Sequence, residues 1–137
     1  MRQGDKELIR SSFEKVKPNT EALWLLFFGK LLVDHPELGP MFKSPETQGR
    51  VLVNALASIV LELDNFAELV PWLRDLGSRH ARYGVIPDHY DFVGTALLWA
   101  LRQVIGLEFN PDIERAWIVG YTVIASAMQA GAVTVSD

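Results

Sequence analysis

Read at 3.6 residues per turn, the apolar positions of this chain fall into one-sided stripes separated by short polar or proline-containing breaks. The clearest stripe runs through Leu69, Leu73, Leu76 and His80, at i, i+4, i+7 and i+11, while Arg74, Asp75, Ser78, Arg79 and Arg82 take the water-facing positions. This spacing predicts an amphipathic helix with Pro71 in its first turn, a stop at Gly84 and a single imidazole pointing inward. An imidazole facing an apolar interior needs a partner for each ring nitrogen, and one of those partners can be a metal.

The other stripes predict helices on either side. Ile9, Phe13 and Val16 line a first helix capped by Asp5 and ended by Pro18. Asn19 caps a second, whose face of Leu23, Trp24, Phe27, Phe28, Leu31 and Leu32 is broad enough to pack on more than one side. His35-Pro36 opens a short turn of helix that carries Leu38 and closes with Pro40-Met41-Phe42. Ser44-Pro45 reads as a cap and first-position proline for a helix with Val51, Leu52, Ala55, Leu56, Ile59 and Leu63 inward. Gln48 shares that face one turn before Leu52, an unusual place for an amide. Asp64-Asn65 interrupts the pattern ahead of the His80 stripe. Pro87-Asp88 starts a helix with Tyr90, Val93, Leu97, Leu101 and Val104 inward, ended by Gly106. Asn110-Pro111 caps the last, with Ile113, Trp117, Tyr121, Ile124 and Met128 inward, and Val133 to Asp137 is expected to fray. Six substantial helices, one short connecting helix and no strand predict an all-α fold, with 137 residues forming one domain.

Composition narrows the function. Hydrophobic residues make up 49% and charged residues 22%, a globular rather than a disordered balance. A net charge of −4 without a dense basic block argues against nucleic acid as a partner. The absence of cysteine removes disulfides, thiolate metal ligation and thioether attachment of a prosthetic group. The N-terminus lacks the apolar core of a signal peptide, and no apolar run of about 18 residues is seen, so a cytoplasmic location with no membrane span is expected.

Several segments in order carry a family resemblance. Leu76-Gly77-x-x-His80-x-x-x-Gly84-Val85 is similar to the proximal-histidine segment of neuroglobins, single-domain bacterial haemoglobins and flavohaemoglobins. Tyr90-Asp91-Phe92-Val93-Gly94 and Ala116-Trp117-x-x-x-Tyr121 look like the starts of the last two helices of those proteins. Leu26-Phe27-Phe28 and His35-Pro36-Glu37-Leu38…Phe42 look like their second and third. Over nearly its whole length the chain resembles a globin, which implies the three-over-three helical sandwich and a haem b cofactor (iron protoporphyrin IX).

The resemblance makes His80 the iron ligand and Phe42 the aromatic wedged against the porphyrin. It puts Phe28, Gln48 and Leu52 on the distal side, and Leu76, Val85 and Phe92 on the proximal side. Haem is a flat apolar ring with two carboxylates at one edge, and it suits an apolar slot with one nitrogen ligand and basic groups at the mouth. Arg79 and Arg82 are placed to reach the propionates, or are simply a solvated helix face. Tyr90 matches a tyrosine that supports the proximal histidine in flavohaemoglobins, or it packs. The supporting glutamate is missing: its place corresponds to Ala132, and no acid lies between Tyr121 and Val135, which weakens the push from imidazole to iron. Phe28 stands where flavohaemoglobins carry a tyrosine, leaving Gln48 as the expected donor to bound oxygen.

The function implied is reversible binding of diatomic gases, with oxygen transport as one use, by a monomer or weak homo-oligomer. The alternatives are nitric oxide dioxygenation with an external reductase, since no flavin or nicotinamide site is expected here, and a gas sensor, for which no output segment is seen. His35 and His89 read as surface or capping groups; a zinc site shared with His80 lacks ligand spacing. Trp24, Trp72, Trp99 and Trp117 read as core or half-buried packing.

Overall fold

The computed structural model describes residues 1–133; of the end expected to fray, Val133 is instead the last residue of a helix, and 134–137 lie outside the described residues. Among the described residues there are six α-helices, four short 3₁₀ turns and no strand. The helices are α1 (Gln3–Phe13), α2 (Thr20–Asp34), α3 (Pro45–Leu61), α4 (Phe66–Arg82), α5 (Pro87–Ile105) and α6 (Pro111–Val133). A 3₁₀ turn over Pro36–Met41 joins α2 to α3, and another over Leu63–Asn65 leads into α4. The sandwich lays α1, α3 and α4 over α2, α5 and α6. Its most extensive pair is α4 with α6, followed by α2 with α5 and α1 with α6.

The punctuation explains these boundaries, with some changes from expectation. Arg2, not Asp5, is the N-cap of α1; Asp5 sits in the first turn, where its carboxylate accepts from the Arg2 amide at 3.2 Å. The helix stops at Phe13, and Pro18 lies in a separate 3₁₀ turn over Lys17–Asn19. Asn19 occupies the N-cap of α2 but sends its amide back to the Lys15 carbonyl. Asn110 does cap α6, accepting from the Ile113 amide at 2.9 Å. Pro71 is inside α4 rather than in its first turn, because the Leu63–Asn65 turn feeds straight into a helix beginning at Phe66. The hydrogen bond that proline cannot donate would have gone to Ala67, and both residues are exposed, so the freed carbonyl faces water.

Packing sets the phase of α3. Gly49 lies so close to the Trp24 indole that a Cβ there would overlap the ring. With Gly49 pressed onto α2, the buried face runs through Gly49, Val53, Leu56 and Val60. Val51, expected inward, is about half a turn away and is 62% exposed. Leu52 and Ala55 are half-buried beside that face. Trp24 and Trp117 are buried and Trp99 half-buried, but Trp72 is exposed at the surface of α4. Trp117 ties α6 to α1, donating from Nε1 to the buried Ser12 hydroxyl at 2.9 Å, which itself donates to the Leu8 carbonyl.

One helix bears, by length and composition only, on the expected absence of a membrane span. α6 carries no charge from Ala116 to Val133 and is long and apolar enough to cross a bilayer, with a mean hydropathy of 1.4 over 18 residues. The polar residues within it (Thr122, Ser126, Gln129) hid this in the sequence. Here it packs against α1, α4 and α5.

Candidate functional site: a free imidazole nitrogen between glycine-seated helices

His80 lies three residues from the end of α4, in a turn fixed by a complete Schellman motif. The Val85 amide donates to the His80 carbonyl and the Gly84 amide to the Ala81 carbonyl, both at 3.1 Å. Gly84 takes the left-handed conformation this motif requires, at φ +96°. Three residues before His80, α4 rests backbone to backbone on α6. A Cβ at Gly77 would overlap the Met128 carbonyl, and one at Gly131 would overlap the Arg74 carbonyl. Glycine on both sides brings the helix axes closer than any side chain allows.

The ring itself is half-buried, and its Nδ1 is 2.7 Å from the Leu76 carbonyl one turn back. A carbonyl only accepts, so this bond requires the proton on Nδ1 and leaves the Nε2 lone pair available. Among the described residues no protein group bonds Nε2, nor is it a sealed-in nitrogen. An oriented neutral imidazole with an open nitrogen is the donor that haem iron takes.

The other expected site residues are distributed as follows. Phe28, on α2, is buried, and its ring lies 5.0 Å from that of Phe42 at 55°, with Phe27 at 5.1 Å on its other side. Leu52, Leu76, Val85 and Phe92 are half-buried against the core. Phe92 stacks on His35 with centroids 3.7 Å apart and planes 14° apart. His35 is thus a packing partner across α2 and α5 and not merely a surface group, a contact 57 residues apart in sequence that no local pattern announces. His89 does cap, accepting the Ile86 amide at 3.2 Å. Arg79 pairs with Asp75 at 2.6 Å on the exposed side of α4, and Arg82 is exposed one turn on from Ser78.

Gln48 differs most from expectation. Its Nε2 donates to the Met41 carbonyl at 3.0 Å and its Oε1 accepts from the Ser44 amide at 3.1 Å. The cause is its place in the helix: Gln48 is the fourth residue of α3, and helical side chains lean toward the N-terminus. The Ser44 hydroxyl makes no cap bond of its own.

Tyr90 is buried with its hydroxyl unpartnered, the sole such buried side-chain atom among the described residues. The Tyr121 hydroxyl donates to the Tyr90 carbonyl at 2.6 Å, and a Cβ at Gly94 would lie 2.7 Å from the Tyr121 ring. Burial raises the Tyr90 hydroxyl above its ordinary pKa. It raises that of Tyr121 much further, with Tyr90 and the Asp91 carboxylate adding to the effect. An orphaned buried hydroxyl fits a site that a further group completes.

Residues 25–128, from within α2 through most of α6 and including the His80 turn, match the Globin family model. The chain belongs to the globin family. Members of this family, flavohaemoproteins included, bind haem. This globin is 33% identical over 125 residues to the flavohemoprotein of Bacillus subtilis (strain 168), covering 88% of the chain and 31% of that protein. It is 30% identical over 128 residues to that of Pseudomonas aeruginosa, covering 90% and 33%. The chain therefore spans about a third of the length of these relatives. Among solved structures, an engineered carbene transferase, described as a candidate nitric oxide dioxygenase from Rhodothermus marinus, superposes with a TM-score of 0.90 at 25% identity, covering 99% of this chain and 96% of that one. A bacterial globin from Campylobacter jejuni gives a TM-score of 0.86 at 24% identity, with 99% of each chain covered.

Proposed function

We propose that this globin is a single domain that holds haem b through His80 Nε2 and binds diatomic gases reversibly. The observation that supports this most directly is the His80 ring, locked by Leu76 and the Schellman turn with its second nitrogen left free. Haem held by His80 would supply an iron able to bind oxygen, carbon monoxide or nitric oxide. The protein's own part is to orient and to exclude water. Phe28, Phe42 and Leu52 form an apolar distal wall, and Phe28 offers no hydrogen-bond donor. Leu76, Val85 and Phe92 pack the proximal side. Arg82 is exposed and Arg79 exchanges its Asp75 partner for a propionate. With no acid between Tyr121 and Val133 of α6 to accept from His80, the imidazole leans on a neutral carbonyl, which favours gas storage over chemistry that needs a strong electron donor.

A second reading is nitric oxide dioxygenation, in which nitric oxide and oxygen yield nitrate and an external reductase restores the ferrous state. It is favoured by the flavohemoprotein relatives and by the Rhodothermus marinus neighbour. The deciding experiment is the absorption spectrum of the purified protein in ferric, ferrous and carbon monoxide-bound forms. A Soret band lost or strongly weakened in His80→Ala is expected, whereas a colourless protein that refuses added haemin would overturn the haem assignment. Sustained nitric oxide consumption with a cellular reductase separates the second reading from the first.

A further inference from the structure

We propose that Gln48 is a clasp that fixes Phe42 across the junction before α3, and that it affects gas binding by positioning that ring rather than by donating to the gas. The inference rests on the haem reading above for its effect on gases, but its geometry stands alone. Only Phe42, Lys43 and Ser44 separate the Pro36–Met41 turn from α3. The Gln48 amide reaches across that gap with both of its ends engaged. It holds the carbonyl immediately before Phe42 at 3.0 Å and the amide two residues after it at 3.1 Å. The Phe42 amide is itself tied back to the Gly39 carbonyl at 3.0 Å, so the backbone that aims the ring is pinned on both sides. The ring so aimed meets Phe28 at 5.0 Å.

With one N–H and the carbonyl oxygen of the amide both used on backbone, the Gln48 side chain is held in one orientation by the junction. Turning the amide to aim it at a gas would leave the Met41 carbonyl unpaired in a part-buried position and swing Oε1 away from the Ser44 amide, so only the second Nε2 hydrogen, in the plane the clasp fixes, is spare. The bond from Ser44 satisfies the backbone N–H of the N-cap residue itself, while the Ser44 hydroxyl makes no cap bond, so the clasp is the side-chain tie at the start of α3.

The test uses the full haem-loaded chain. Hydrogen exchange of the Ser44 amide is measured in the wild type, gas-free and with oxygen bound, and in Gln48→Leu. Oxygen and carbon monoxide dissociation are measured by stopped flow. In the wild type, Ser44 exchange should be the same with and without oxygen; faster exchange with oxygen bound would mean the amide leaves its clasp for the gas and would overturn the proposal. In Gln48→Leu, Ser44 should exchange about tenfold faster, and the release rates of the two gases should rise together, by about threefold or more. Oxygen release accelerated about tenfold beyond carbon monoxide release overturns it in favour of a direct donor, and unchanged release of both overturns the positioning role. If no Soret band is present, the haem reading fails separately, and the Ser44 exchange of the haem-free chain still decides the clasp: no change in Gln48→Leu refutes it.

Discussion

The two walls of the proposed haem slot are built by opposite means. On the proximal side α4 meets α6 through glycines that put backbone on backbone, at Gly77 against Met128 and at Gly131 against Arg74. Neither contact has a rotamer through which it can yield. On the distal side α3 meets α2 through one glycine on an indole, Gly49 on Trp24, and enters through a three-residue junction held by the Gln48 side chain. A rigid seat under the ligand histidine and a side-chain-built wall opposite it divide the labour. On the proposed reading such a seat would keep His80 in place and leave adjustment to the side chains of the opposite wall.

The sharpest way to break this contrast is to add one methyl to each seat. Gly77→Ala must push α4 off α6, because a carbonyl cannot turn aside. A loss of about 3 kcal/mol or more is expected, at the upper end of overpacking costs, seen as a fall in Tm with faster haem loss. Gly49→Ala meets only the Trp24 side chain and should cost less, about 1–2 kcal/mol. Equal losses in the two variants would show that the proximal seat is no more rigid than the distal one.

Alkaline titration comes next in size, and it probes the ring cluster under α5 and α6. Tyr121 and Tyr90 have pKa values raised above that of the unfolded chain. Their neutral forms are therefore favoured in the fold, and the stability they represent is fully present below about pH 10. Above it the unfolded chain releases protons that the folded one keeps, so stability should fall by up to about 1.4 kcal/mol per pH unit for each tyrosine. Denaturant unfolding at pH 9, 10 and 11 reads this directly, and a flat profile would place both hydroxyls in water.

Gly84→Ala should cost about 1–2 kcal/mol, because an alanine resists φ +96°. It also loosens the turn behind His80, so a change in the Soret maximum is expected alongside the drop in Tm. A variant that keeps its spectrum while losing stability would separate the turn from the ligand geometry. The smallest effect is expected from Tyr90→Phe. Without haem, removing an unpartnered buried hydroxyl should leave stability unchanged or raise it by up to about 1 kcal/mol. A loss appearing only in the haem-loaded protein would show that the hydroxyl gains its partner there.

Much of this globin was legible as pattern. The period of 3.6 residues, the prolines at helix starts, the glycine stops and the inward imidazole at position 80 are local properties. Each is set by neighbours within a turn or two, so a linear reading finds them. Two of the expectations that changed depend on a distant surface, and a third on the length of a junction. Val51 faces water because Trp24, 27 residues earlier, turns α3 about its axis. His35 lies on Phe92 because α2 crosses α5. The amide of Gln48 goes to backbone because the junction before α3 is short enough to reach. The sequence by itself determined the number and order of the helices and which residues share a helical face, since backbone geometry repeats identically along the chain. Only the tertiary structure decided which glycines carry crossing helices and which rings meet across them, because these depend on atoms brought together from distant parts of the chain.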